Sequence, residues 1–329
     1  MKVLVTGGLG YVGGELVKCL RANDLFSICI DPNWFARAEL EPVGSLYNHV
    51  YQAQIKQISD HKLLEICRSV DCVVALAAIS NDPMGNKFEA LTLDVNVEQN
   101  KRLYQIARSA GVKRFIFASS CSVYGAGGAA LLTEKSAVQP LTTYSLSKVL
   151  FEKFLSDQDD DVEKVSLRFA TAAGASLCPR LDLAVNDFVF TGLTKKFVVL
   201  KSSGNAMRPF IAVRDMAFAI SEVINSKNMF NGHHIFNVGS DLNNYNILDV
   251  ATMVSKTLGV DVKFESTLPD NRNYSVDFSN YRKFFQNDGF ESMQNIISSL
   301  VEQCKKINSL GMSYENFIRL KVLQDTISL

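Results

Sequence analysis

Gly7-Gly8-Leu9-Gly10-Tyr11-Val12-Gly13 lies directly between an apolar run, Lys2 to Thr6, and a segment with Val12, Leu16, Val17 and Leu20 at helical spacing. Strand, glycine turn and helix in that order constrain the chain more than anything else in it. A short, β-branched apolar run reads as a parallel strand buried on both faces. Gly7 permits the tight turn, Gly10 lets the backbone approach a pyrophosphate, and Gly13 lets the helix pack close to the strand. The start of the helix offers oriented N–H groups and partial positive charge to an anion. A dinucleotide cradle is therefore expected, with Gly7, Gly10, Tyr11 and Val12 against the cofactor. The spacing is G-x-x-G-x-x-G rather than G-x-G-x-x-G.

Phe26 to Ile30 is a second apolar run, closed by Asp31 and Pro32. A carboxylate at that strand end accepts hydrogen bonds from the adenosine ribose hydroxyls and repels a 2′-phosphate. Asp31 therefore points to NAD(H) over NADP(H). Arg37 is the nearby cation that would act the other way by holding a phosphate.

Further along, Val50 to Ile55 reads as a weaker third strand, His61 to Arg68 as a helix and Cys72 to Ala78 as a strand. Asp94 to Gly111 reads as a strong helix with a glycine stop, Phe115 to Ala118 as a strand, Tyr144 to Asp157 as a helix and Val165 to Phe169 as a strand. Such alternation implies right-handed βαβ units and a doubly wound parallel sheet. After Arg168 the pattern is mixed and contains Gly174, Pro179 and Gly204. Ile211 to Ile224 and Ile235 to Val238 read as a return to the sheet. From Asn244 on, two helical stretches flank an extended Val260 to Phe264. A smaller second domain, interleaved with the first, fits this.

Bulk properties exclude several classes. Lys plus Arg and Asp plus Glu both number 34 in 329 residues, so no excess of cations serves a nucleic acid. Seven Cys without a C-x-x-C, and four His without metal-type spacing, read as reduced thiols in a cytoplasmic protein with no metal. MKVLVTGG lacks the apolar core of a signal peptide, and no run of apolar residues is long enough for a membrane span.

Tyr144-Ser-Leu-Ser-Lys148 sets a phenol and an ammonium on one helix face. A nearby ammonium and an oxidised nicotinamide favour the phenolate, which then takes a proton from a substrate hydroxyl as hydride leaves. Ser119-Ser120-Cys121-Ser122 follows a strand at its carboxyl end, the edge where open α/β sheets bind ligands. Ser120 is placed to hydrogen-bond the reacting oxygen; Cys121 reads as a packed thiol.

Taken in order, TGGLGYVGG, VVALAAISNDP, DVNVEQN, ASSCSVYG, YSLSK, LRFATAAG, RPFIAVRDMAFAI and FNVGS resemble the extended short-chain dehydrogenase/reductases, the NAD-dependent epimerase/dehydratase family of nucleotide-sugar enzymes. The resemblance implies a Rossmann-type sheet with a smaller α+β C-terminal substrate domain. Residues 1–168 would form the NAD-binding domain, with return segments near 211–240, and 169–329 mainly the substrate domain. It implies Ser120, Tyr144 and Lys148 as the catalytic triplet, Ala77 and Ala78 as a cofactor-lining strand end, and Asn96 as the buried Asn that helps place Lys148 through water. Asn186 and Arg208 occupy the places that contact a nucleotide diphosphate, Arg272 adds a second phosphate contact, and Ser80 and Ser122 are expected against substrate. Two departures stand out. Gln54 replaces the acid that often contacts adenine, and Ser120-Cys121-Ser122 replaces the Thr-Asp-Glu of sugar dehydratases, which removes the acid and base of a 4,6-dehydratase.

The resemblance thus implies an NAD-dependent nucleotide-sugar epimerase working through a 4-keto sugar. The alternative is an NAD(P)H-dependent reductase of 4-keto-6-deoxy sugar nucleotides. A dinucleotide sensor without turnover has no need of all three catalytic residues. By analogy with family members, the helices from Asp94 and Tyr144 are expected to pair in a homodimer.

Overall fold

A computed structural model describes residues 1–35, 40–127, 131–227, 230–270, 272–287 and 289–327. Arg37 lies outside the described residues. Seven parallel strands form the central sheet: β1 (Lys2–Thr6), β2 (Phe26–Ile30), β3 (His49–Tyr51), β4 (Cys72–Ala75), β5 (Arg114–Ser120), β6 (Glu163–Phe169) and β7 (His233–Val238). Their order is β7-β6-β5-β4-β1-β2-β3. The chain winds one way from β1 to β3 and the other way from β4 to β7. The halves diverge between β1 and β4, which opens a crevice at the carboxyl ends of the strands.

Side chains alternate across the sheet, so both faces are apolar. Val3 and Val5 join Leu16 and Leu20 of α1 (Tyr11–Ala22) on one face. Leu4 joins Leu63 of α2 (Asp60–Arg68), Leu103 of α3 (Gln99–Ser109) and Phe151 of α4 (Thr143–Ser156) on the other. Helix α5 (Val213–Asn225) packs against α1.

A second core gathers helices Ala184–Lys195, Ile247–Leu258 and Met293–Ser309 around Val189, Val254, Ile296 and Leu300. Strand Phe197–Leu200 pairs with Asp261–Phe264 beside it. A last helix, α6 (Arg319–Ile327), returns to the Rossmann side, where Leu323 packs with Ile79 and Met84.

Three expectations need correction. The third strand stops at Tyr51, because it pairs over only three residues with β2 at the sheet edge; Gln54 instead precedes a short 3-10 turn, Ile55–Gln57. The expected helix from Asp94 opens with a single π turn, Asp94–Glu98, before α3 begins. Ile211 and Ala212 do not return to the central sheet. Met207–Ala212 pairs with Thr171–Ala173 and Asn244–Asn246 in a separate three-stranded sheet, and it is α5 and β7 that return.

Candidate active site

The glycine turn is fixed by close approaches. Gly7 has φ 73°, and a Cβ there would lie 2.6 Å from the Ala77 amide nitrogen. A Cβ on Gly13 would lie 2.3 Å from the Gly8 carbonyl oxygen, so a larger residue would lift α1 off the turn. Gly10 begins α1 without any side-chain cap, leaving its first N–H groups for a ligand. A cavity of about 710 Å³ runs along the carboxyl ends of the strands. Gly7, Gly10, Tyr11, Val12, Ala77 and Ala78 all line it.

At the end of β2, Asp31 is buried and accepts from the Leu9 and Asn33 amides at 3.1 and 2.7 Å. Burial raises its carboxyl, while those amides and the charge of Arg319 pull it back. Gln54 lines the same cavity, and its Oε1 is buried with no hydrogen-bond partner among the described residues. An adenine amino group is the donor that such an acceptor lacks. The cradle, the carboxylate at the end of β2 and this orphan acceptor fit NAD.

Ser120 ends β5 and caps the turn Cys121–Tyr124, accepting from the Ser122 amide at 3.1 Å. Helix α4 starts at a reciprocal cap: Thr142 Oγ1 accepts from the Ser145 amide, and Ser145 Oγ accepts from the Thr142 amide. That cap fixes Tyr144 in the first turn, with Lys148 one turn on. Lys148 Nζ donates to the Ala118 carbonyl at 2.7 Å and lies 5.5 Å from the Tyr144 ring centre. Burial pulls the ammonium down to about 7, against the nearby charge of Glu152. Burial pushes the Tyr144 phenol up to about 12; a hydrogen bond with Ser120 draws it down, Asp82 pushes it up and Arg180 draws it down. Ser122 lines the cavity, and its buried hydroxyl has no partner among the described residues. Cys121 is buried, its thiol donates to the Arg168 carbonyl at 3.1 Å, and burial raises it, so it is a packing residue.

Arg208 and Arg272 also line the cavity. Asp270 holds both, at 3.0 Å to Arg208 and 2.9 Å to Arg272. Arg272 reaches across to Asp82 as well. Asp270 thus gathers two guanidinium groups, a donor type suited to phosphate, in the cavity wall.

Two expected contacts do not reach the cavity. Asn186 is buried; its Oδ1 accepts from the Gly174 amide at 3.1 Å, and its Nδ2 donates to the Arg180 carbonyl and the Tyr11 hydroxyl at 2.7 and 3.2 Å. It ties a loop to α1 and has no donor left for a diphosphate. Asn96, in the π turn, accepts from the Ile79 amide at 2.8 Å and donates to the Ile79 carbonyl and Ser147 Oγ at 3.0 and 2.9 Å. It clamps the end of β4 to α4, and so positions Lys148 through the backbone of its own helix.

Sequence reasoning missed two arginines in the wall. Arg180 grips Asp182 through two bonds and donates to Ser80 Oγ at 2.9 Å, so Ser80 lines the cavity already paired. Arg319 enters from α6. Neither stands in a motif, and only the fold brings them here.

The model of a family described as NAD dependent epimerase/dehydratase matches residues 3–239. A UDP-glucose 4-epimerase of Lactobacillus helveticus is 26% identical over 283 residues, spanning 80% of this chain and 84% of that one. Among solved structures, the UDP-glucuronic acid 4-epimerase of Bacillus cereus, with UDP-glucuronic acid and NAD, superposes with a TM-score of 0.82 at 21% identity. It covers 93% of this chain and 100% of its own. An NAD-dependent NDP-hexosamine 5,6-dehydratase of tunicamycin biosynthesis superposes with a TM-score of 0.81 at 21% identity, covering 93% of this chain and 98% of its own. These superpositions bear on the fold.

Proposed function

The chain belongs to the NAD dependent epimerase/dehydratase family, and on that premise we propose that it epimerises a nucleotide-diphosphate sugar through a transient 4-keto sugar. One observation carries this reading: Ser120, Tyr144 and Lys148 share a cavity with the glycine cradle and with Arg208 and Arg272. When bound, NAD supplies the acceptor and then the donor of a hydride at the sugar carbon. Tyr144 removes the proton of the C4 hydroxyl and returns it to that same oxygen once the keto sugar has presented its other face. Ser120 hydrogen-bonds the same oxygen. The Lys148 ammonium, held on the Ala118 carbonyl, favours the phenolate. Arg208 and Arg272 hold the diphosphate while the keto sugar turns over.

Uridine is the base we assign, on the named activity of the Lactobacillus helveticus relative. A one-way reductase would use the same three residues but exchange its cofactor each cycle; Asp31 favours a resident NAD. A homodimer and a cytoplasmic setting complete the reading. Leu146 and Leu150, one turn apart on α4, are both exposed, and all seven thiols are unpaired.

The test is to incubate the purified protein with UDP-hexoses, without added cofactor, and to follow C4 by proton NMR. Inversion at C4 supports the reading. No inversion, together with NADPH consumed mole for mole when it is supplied with a 4-keto-6-deoxy sugar nucleotide, would replace it with the reductase.

A further inference from the structure

We infer that Arg319, on the last helix, is a ligand of the cofactor diphosphate, so that the C-terminal segment completes the cradle begun by the glycine turn. This rests on the NAD-binding reading above. Arg319 is only 4% exposed, yet it lines the cavity. A guanidinium carries five N–H donors. Among the described residues its partners are Cys178 Sγ at 3.1 Å and the face of Phe35, with Cζ 3.9 Å from the ring centre. Neither is a carboxylate. Asp31 and Asp182 feel its charge without pairing with it. A buried cation with no carboxylate at ion-pair distance among the described residues is costly, and the cavity that Arg319 lines is where an anion can reach it.

Its position says which anion. Cys178 follows a loop bound to the start of α1: Ser176 Oγ donates to the Tyr11 carbonyl at 2.7 Å, and the Leu177 amide donates to Glu15 at 3.0 Å. Arg319 therefore stands beside the helix N-terminus on which a dinucleotide rests its phosphates. A planar, permanently charged fork suits that diphosphate. The 2′-phosphate of NADP is a poorer candidate, because Asp31 guards that place.

The test is calorimetric binding of adenosine, ADP, 2′,5′-ADP and NAD⁺ to nucleotide-stripped protein, as wild type, R319K and R319M. Circular dichroism first establishes that each variant is folded. In R319M the affinities for ADP and NAD⁺ should fall on the order of ten- to a hundredfold, that for adenosine should hold, and R319K should recover part of the loss. Unchanged ADP affinity in both variants overturns the inference. So does an equal loss for adenosine, or a loss confined to 2′,5′-ADP. A wild-type protein that binds neither ADP nor NAD⁺ overturns the functional reading itself, and the inference with it.

Discussion

Tyr144 and Lys148 are displaced by the same cause in opposite senses: burial disfavours the charged form of each. Tyr144→Phe leaves the cavity filled and removes only the proton carrier. Turnover should fall by roughly 10²–10⁴-fold with bound NAD unchanged, as initial rates and nucleotide content after denaturation will show. Lys148 has a folded value of about 7 against its usual 10.5. Between those limits the unfolded chain binds the extra proton, so stability rises with pH, and the deficit is complete below about 7. Lys148→Met should therefore melt higher than the wild type at pH 6, by on the order of a few kcal/mol, with the gap closing as pH approaches 10. Melting curves at three pH values measure this. At this scale Ser120, Tyr144 and Lys148 were legible, because a strand end and one helix turn suffice to place them. Asn96 was expected as a buried amide acting through water and Asn186 as a diphosphate contact, and neither role matches the bonds each makes. Their donors go to the Ile79 and Arg180 carbonyls and to the Ser147 and Tyr11 hydroxyls, partners that spacing does not reveal.

Elements hold those residues by a few buried ties. Helix α4 carries Tyr144 and Lys148 near its start and Glu152 one turn after the lysine. Arg168 of β6 donates to Glu152 through bonds of 2.6, 3.0 and 3.2 Å, and both side chains are buried. Glu152→Gln leaves the Arg168 charge buried without its anion, and should cost about 3–5 kcal/mol in urea unfolding. Gly13→Ala should separate α1 from its turn, given the 2.3 Å approach to the Gly8 carbonyl oxygen. The expected result is loss of NAD⁺ binding in titration calorimetry. The alternation of strands and helices up to Phe169 was readable because each element buries a face with its own period. The π turn at Asn96 was not, since it inserts without breaking the helical pattern. The early end of β3 was not either, because a three-residue edge pairing leaves little imprint on composition.

At the scale of the whole molecule, the Rossmann sheet and the core around Val189 and Val254 both contribute elements to the wall of the large cavity. The sheet and its helices were evident from sequence. The second core was evident only as a break in pattern after Arg168, because its short strands pair with partners distant in the chain. If the exposed Leu146 and Leu150 face a second copy, light scattering should give the mass of two chains for the wild type. L146E/L150E should shift it to one.

The path of the chain has a consequence for synthesis. Gly7 and Leu320 line the same cavity, so two turns far apart along the chain must meet. At roughly 5–20 residues per second, tens of seconds separate them on the ribosome. The glycine turn can fold early against β4, but a growing chain has no complete pocket until α6 clears the exit tunnel. Newly made protein should therefore capture its nucleotide only once α6 has emerged, and chains that stop before it should be born empty.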